Sequence, residues 1–430
     1  MAPKIRPVQT SQDMPHATTV VIIGGGIVGL SAALTLAERG IPTVVLEKGR
    51  IAAEQSSRNL GWIRKTSRLA ADIPLTQASD RLWAGMAERT GCDPGYRETG
   101  IMFVAGSEAE MEGHRRWLAS AEGLDLGSKL LSAREVDELS PGGQGNWAGG
   151  VYTASDGRAE PTLASSAIAE AALRKGAVIV ENCAVRCLST AAGKVSGVVT
   201  ERGEIACDQV ILAGGLWSRR FLGNMGISLP SLPLICYAFR TAPLEGPSEV
   251  AVGGPDFSFR KHADGGYIGT HRAAFGSPFV LDHFLLGLRY LDTLKETHRM
   301  IRPILGKPFI EDLKLPRRWG PGDISPFERE RTTDPRTKEE IPEQALANLR
   351  AAWPAFKDTR IVESWGGTMD ITPSSMPVIS PVASVPGFTI ATGFSGHGFG
   401  TGPGAGQLAA DLATGHAPLV DPSPYAFVPR

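Results

Sequence analysis

Val20-Val21-Ile22-Ile23-Gly24-Gly25-Gly26-Ile27-Val28-Gly29, followed by a helical pattern and then by Thr43-Val44-Val45-Leu46-Glu47, decides the fold. Four apolar residues make a strand, Gly24 permits a tight turn, Gly26 lets the backbone approach a pyrophosphate, and Gly29 lets a helix pack closely on the strand. Leu30, Ala33, Leu34 and Ala37 recur at helical spacing, Gly40 is placed to end that helix, and the second strand delivers Glu47 to its end. Phosphates sit on the free N–H groups of such a helix start. A carboxylate at Glu47 accepts hydrogen bonds from a ribose hydroxyl and repels a 2′-phosphate, which leaves FAD and NAD and disfavours NADP.

A second glycine turn lies near the other end of the chain. The strand pattern Phe388-Thr389-Ile390-Ala391-Thr392-Gly393 leads into Gly396-His397-Gly398-Phe399-Gly400-Thr401-Gly402-Pro403-Gly404 and then a helix through Leu412. FAD is long, so one turn can hold its pyrophosphate while a second helix start reaches its ring and stabilises negative charge there. Two such elements favour FAD over NAD.

Between them, strand and helix patterns alternate, which predicts an α/β architecture. Residues 177–181, Val195 to Thr200 and Val210 to Leu212 read as strands that extend the sheet begun at Val20. Gly100 to Val104, Ser231 to Arg240, Phe257 to Arg260 and Gly266 to Gly269 alternate apolar with polar residues and predict an antiparallel substrate-binding sheet. Residues 276–358, rich in charge and proline, predict a helical insertion with helices over Asp282 to Met300 and Glu343 to Ala352.

The 430 residues are 42% hydrophobic with a net charge of −1, enough for two cores and with no general electrostatic attraction to nucleic acid. Five cysteines (Cys92, Cys183, Cys187, Cys207, Cys236) without a C-x-x-C pair suit a reducing compartment and predict no metal site. No run of about twenty apolar residues occurs, so a soluble, cytoplasmic protein is expected. Residues 1–17, with Pro3, Pro7 and Pro15, read as a flexible tail.

Three segments carry a family resemblance: Ile51-Ala52-Ala53-Glu54-Gln55-Ser56-Ser57-Arg58; Val199 to Gly203 and Leu212-Ala213-Gly214-Gly215-Leu216-Trp217-Ser218-Arg219 continuing to Ile227; and Val362-Glu363-Ser364-Trp365-Gly366 to Thr372-Pro373 with Pro377 to Ser380. On them the chain resembles the FAD-dependent amino-acid oxidoreductases of the D-amino-acid oxidase and glycine oxidase type, the bacterial L-amino acid deaminases most of all. The implied fold is a Rossmann-like FAD-binding domain of the glutathione-reductase type 2 (residues 18–95, 156–230 and 361–430). It is interleaved with an antiparallel-sheet α+β substrate domain (96–155 and 231–360).

The resemblance implies non-covalent FAD, because Arg58 and Gly367 stand where some relatives attach flavin through His or Cys. It implies flavin contacts from Gly24, Gly26, Ile27, Val28, Gly29, Glu47, Lys48, Gln55, Ser56, Ser57 and Arg58. Further contacts are implied from Val185, Ala213, Gly214, Trp217, Gly366, Gly396, Gly398, Phe399, Gly400 and Thr401. Arg272, five residues after Tyr267, stands where the deaminases hold the substrate carboxylate, and Arg offers a bidentate fork for it. Trp62 replaces an assisting glutamine of those relatives, and Met369 falls near the carboxylate arginine of glycine oxidase.

Tyr237 and Phe239 share a strand face that can wall the pocket. Trp365 and His397 are candidates to border the ring, His271 to tune Arg272, and Arg64, Lys65 and Arg68 to place a cation near the flavin or pyrophosphate. The implied reaction is hydride transfer from the α-carbon of a neutral amine to flavin N5, giving an imino acid that water hydrolyses to a keto acid and ammonia, with no dedicated base. D-amino acids, secondary amines of the sarcosine or opine kind, or a non-catalytic flavoprotein subunit are the alternatives. Oxygen or a soluble or respiratory carrier is the implied electron acceptor.

Overall fold

In the computed structural model, which describes residues 2–428, Val20–Ile23 lies inside a six-stranded sheet. The order is Val378–Pro381, Phe388–Thr392, Gln209–Leu212, Val20–Ile23, Thr43–Leu46, Val178–Val180, with all neighbours parallel except the first pair. Such apolar runs suit strands covered on both faces. Val20 and Ile22 face a layer of helices, Ile27–Glu38, Pro161–Arg174 and Gly402–Thr414, whereas Val21 faces a three-stranded antiparallel layer. That layer is Val185–Ala191, Lys194–Thr200 and Gly203–Ala206.

Val195 to Thr200 therefore belongs to this second layer and does not extend the main sheet. Ala192 and Gly193 both have positive φ, the geometry of a hairpin turn that folds a strand straight back on its neighbour.

A second, ten-stranded sheet runs Ile301–Ile304, Phe275–Pro278, Leu232–Thr241, Tyr267–Thr270, Ser258–Lys261, Ala251–Gly253, Ile101–Ala105, Gly149–Thr153, Ser128–Leu131, with Ile361–Ile371 also paired to Leu232–Thr241. It is mostly antiparallel, as its alternating pattern predicts, and Glu340–Ala352 packs on it through Ala345, Leu346 and Leu349, which share a core with Phe239, Phe259 and Tyr267 of the sheet. The segment 276–358 is not purely helical, since Ile301–Ile304 adds an edge strand parallel to Phe275–Pro278. The helix expected over Asp282 to Met300 is broken into Leu281–Leu286 and Leu291–Thr297 with 3₁₀ turns after each, the first beginning at Gly287. Among the described residues no helix is long and apolar enough to cross a membrane.

The segment before Val20 is laid along the body instead of hanging loose. Arg6 N–H donates to Thr162 O, Ser11 N–H donates to Ile179 O at 2.7 Å, and Ala206 N–H donates to His16 O. Val178–Val180 is an edge strand, and an extended, proline-containing segment is suited to cover its open carbonyls.

One buried ion pair ties the two sheets together. Glu160, the residue before helix Pro161–Arg174, accepts two hydrogen bonds from Arg260 of the second sheet at 2.6 and 2.8 Å and a third from Ala263 N–H. Both side chains are 2% exposed or less. Burial alone would raise the Glu160 carboxyl, but Arg260 outweighs it and holds the group below its ordinary value. Its stabilisation is thus present above the ordinary carboxylate range and lost as pH falls through the folded value. We expect Glu160→Gln to cost about 3–5 kcal/mol of unfolding free energy near neutral pH by leaving a buried guanidinium uncompensated. Denaturant titrations should also show a shallower loss of stability on the acid side than in the parent.

Candidate active site

The sheet's first crossover forms the cradle. Gly24 has φ +110°, and a Cβ there would lie 2.4 Å from Ala213 O; a Cβ on Gly29 would lie 2.1 Å from Gly24 O. On Gly26 the nearest atom is Ser56 Oγ at 3.1 Å, so this face of the turn opens onto a cavity of about 460 Å³. Ser56 Oγ also accepts the Ile27 N–H at 2.9 Å, occupying a donor at the start of helix Ile27–Glu38. Glu47 accepts from Gly25 N–H and Gly49 N–H, each at 2.8 Å, and burial raises its pKa against Lys48 and those two bonds.

Both glycine turns border this one cavity. Gly24, Gly26, Ile27 and Val28 line it from the first and Gly396 to Thr401 from the second, with Glu47, Lys48, Gln55, Ser56, Arg58, Val185, Ala213, Gly214 and Trp217 between them. Gly29, Ser57 and Gly366 stand outside the lining. Gly29 is spent on helix–strand contact, the Ser57 hydroxyl turns back to Glu54 O, and Gly366 O accepts from Arg58 Nη1. The second turn is held from behind by a helix the sequence reading did not connect with it. Ser79 Oγ and Trp83 Nε1 of Ile73–Ala84 both donate to Gly400 O, at 2.7 and 2.8 Å. Asp370 steadies its approach by accepting from Gly393 N–H at 2.8 Å.

At the far end Trp62, Arg64, Phe103, His271, Arg272 and His397 meet. Trp62 packs edge-on to Phe103, and its buried indole N–H has no partner among the described residues. Arg272 lies over the Phe103 ring at 4.6 Å and donates to Gly254 O; its neighbour His271 takes the Ala273 N–H on Nδ1. Arg64 Nη2 lies 3.0 Å from His397 Nε2. A guanidinium can only donate, so that nitrogen accepts and the imidazole is neutral. Burial, then Arg68 and Arg64, push the His397 pKa well below its ordinary value, in agreement. Burial brings both Arg64 and Arg272 down to about 10.

Tyr237 and Phe239 do not wall the cavity. Strand residues alternate faces, and here Leu234, Cys236 and Ala238 point into it while the two aromatics enter the core behind. Trp365 is likewise removed from it, 3% exposed, with its N–H on Arg58 O. Lys65 is buried against Asp80 and Asp156, and Arg68, which does reach the cavity, is paired with Asp72. Phe103 had a legible signal, a strand pattern with an inward aromatic; Ser79 and Trp83 had none short of the tertiary fold.

A cavity lined by the glycine turn at Gly26, by the Glu47 carboxylate and by a second glycine turn that leads into a helix fits FAD. Comparison with known proteins agrees. Residues 19–412 match the family model described as FAD dependent oxidoreductase (DAO). The structure of L-amino acid deaminase from Proteus myxofaciens in complex with anthranilate superposes with a TM-score of 0.94 and 34% identity, covering 99% of this chain and 97% of that one. Glycine oxidase of Pseudomonas putida is 25% identical over 95% of this chain and 97% of its own length. Mitochondrial sarcosine dehydrogenase of Mus musculus is 27% identical over 51% of this chain and only 25% of its own length. The chain belongs to the FAD-dependent oxidoreductase family.

The two glycines predict separable defects. Gly26→Ala should purify with strongly reduced flavin content while its flavin-free form melts close to the flavin-free parent, because the added methyl group meets only Ser56 Oγ, 3.1 Å away on the cavity wall. Gly29→Ala should lower the melting temperature itself, since the helix must lift from a backbone carbonyl to admit the methyl group.

Proposed function

We propose that this enzyme oxidises an amino acid at its α-carbon in the manner of an L-amino acid deaminase. The observation that carries the reading is Arg272: a half-buried guanidinium on the wall of the flavin cavity, stacked on Phe103, with no carboxylate within ion-pair distance among the described residues. A bidentate arginine is suited to fix a substrate carboxylate and, through it, the direction of the Cα–H bond.

FAD, when bound, supplies the hydride acceptor. Everything else asked of the chain is positioning and electrostatics. Arg272 holds the carboxylate, and the unpartnered Trp62 N–H is a second donor within the same wall. Arg64 and Arg272 make the site positive, which disfavours an ammonium group and favours the neutral amine whose lone pair assists loss of hydride. His397, neutral and engaged with Arg64, is not placed to act as an acid. The imino acid product is hydrolysed by water to a keto acid and ammonia. Preference for the L-enantiomer is supported by the likeness to the Proteus deaminase over almost the whole chain.

Anaerobic bleaching of the flavin by L-amino acids, and not by D-amino acids or sarcosine, is the expected result; readmitted air then reads the electron acceptor, with prompt peroxide marking an oxidase. Bleaching by D-amino acids or secondary amines alone would overturn the L-deaminase assignment. Arg272→Ala should retain its flavin and raise KM about 10–100-fold, the value of a lost charge-assisted hydrogen-bonded pair; an unchanged KM and kcat would remove Arg272 from the site.

A further inference from the structure

The buried arginines of this chain have acidic partners: Arg58 with Asp334, Arg68 with Asp72, Arg158 and Arg260 with Glu160. Arg64 and Arg272, half-buried on the cavity wall, differ from them. Among the described residues neither is within ion-pair distance of a carboxylate, and their hydrogen bonds go to neutral acceptors: Arg64 to Thr66 O and His397 Nε2, Arg272 to Gly254 O. The acids that act on them from a distance are committed elsewhere. Asp156 accepts from Lys65 N–H, Thr66 N–H and Thr66 Oγ1, and the exposed Glu110 accepts from Gly106 N–H.

The two guanidinium carbons lie 5.5 and 4.6 Å from the centre of one ring, Phe103, so they are at most about 10 Å apart across it. Two like charges held this close on a half-buried cavity wall repel, and a single carboxylate neutralises only one of them. We propose that the cavity takes a substrate with two anionic groups, Arg272 clamping the α-carboxylate and Arg64 the second. His397 is the positioning residue for that second clamp: its neutral Nε2 holds one Nη2–H of the Arg64 fork while Thr66 O takes one from Nη1, and the remaining N–H groups are left for the ligand.

The assignment rests on the amine-oxidation reading for what is oxidised, though not for what is bound. Two substrate classes share the required chemistry, acidic amino acids and amino acids bearing a carboxyalkyl group on nitrogen. A hydrophobic amino acid would instead cover Arg64 without giving it a counter-charge.

The test starts with unreactive ligands. Titrating the FAD-loaded enzyme with glutarate, succinate and butyrate at fixed ionic strength, and following the flavin spectrum and the heat of binding, should show the diacids binding at least about 10-fold tighter. Arg64→Gln should abolish that advantage while altering butyrate affinity far less, and Arg64→Lys should restore part of it. Equal affinities in the parent, or an advantage untouched by Arg64→Gln, overturn the proposal. So does a shift of flavin midpoint potential in Arg64→Gln with diacid preference intact, which would assign the cation to the ring. Anaerobic reduction by glutamate against N-carboxyalkyl amino acids then separates the two sources. Diacid binding with no reduction by any amine would uphold the two-clamp site and defeat the amine-oxidation reading alone.

Discussion

The structure depends on a backbone contact too close for any side chain: helix Ile27–Glu38 rests against the turn carbonyl of Gly24 at Gly29. Eleven of its twelve residues are buried, so it serves as the post around which Pro161–Arg174 and Gly402–Thr414 are arranged. Its start faces the cavity because its end is anchored by core packing. The Gly402–Thr414 helix is fixed by this post, and with it the second glycine turn. Contact at one residue thereby sets the distance between the two halves of the cofactor cradle.

The elements most legible in the sequence are those whose reason for existing is local. Val20 to Glu47 announces strand, turn, helix and strand through spacing alone, and the C-terminal turn does the same. Assignment failed where a choice depends on partners distant in sequence. Lys194–Thr200 has the composition of a buried strand, yet a two-residue hairpin turn sends it into another layer. Tyr237 and Cys236 are neighbours on one strand, and which of them faces the cavity depends on the register with Gly366 and Gly367 across the sheet. Aromatic content suggested the wrong face, since large rings serve a core at least as readily as a pocket. Arg272 was locatable from likeness to relatives, whereas the isolation of Arg64 from the carboxylates of the described residues is a property of space and not of spacing.

Electrostatically, the cavity has two characters. Near Glu47 the environment is balanced, with Lys48 bonded to Glu54 and to the carbonyls of Glu330 and Arg331. At the opposite end positive charge accumulates beside aromatic walls, and burial opposes it strongly enough to bring two guanidinium groups down to about 10. Such an arrangement is costly for the isolated protein and is relieved by anions, so folding stability and ligand recognition draw on the same residues.

The central sheet also has a temporal aspect. Val20–Ile23 is flanked by Gln209–Leu212, which in turn pairs with Phe388–Thr392, so neighbours in space are made at widely separated moments of synthesis. During translation the early glycine turn leaves the ribosome long before the strand and helix that complete its surroundings, and its apolar strand must wait with open edges. Pairing across such sequence separations is slow and leaves those strand edges exposed until their partners arrive. Capture of the flavin is accordingly a late event in the life of the polypeptide, coming only after the last third of the chain has emerged.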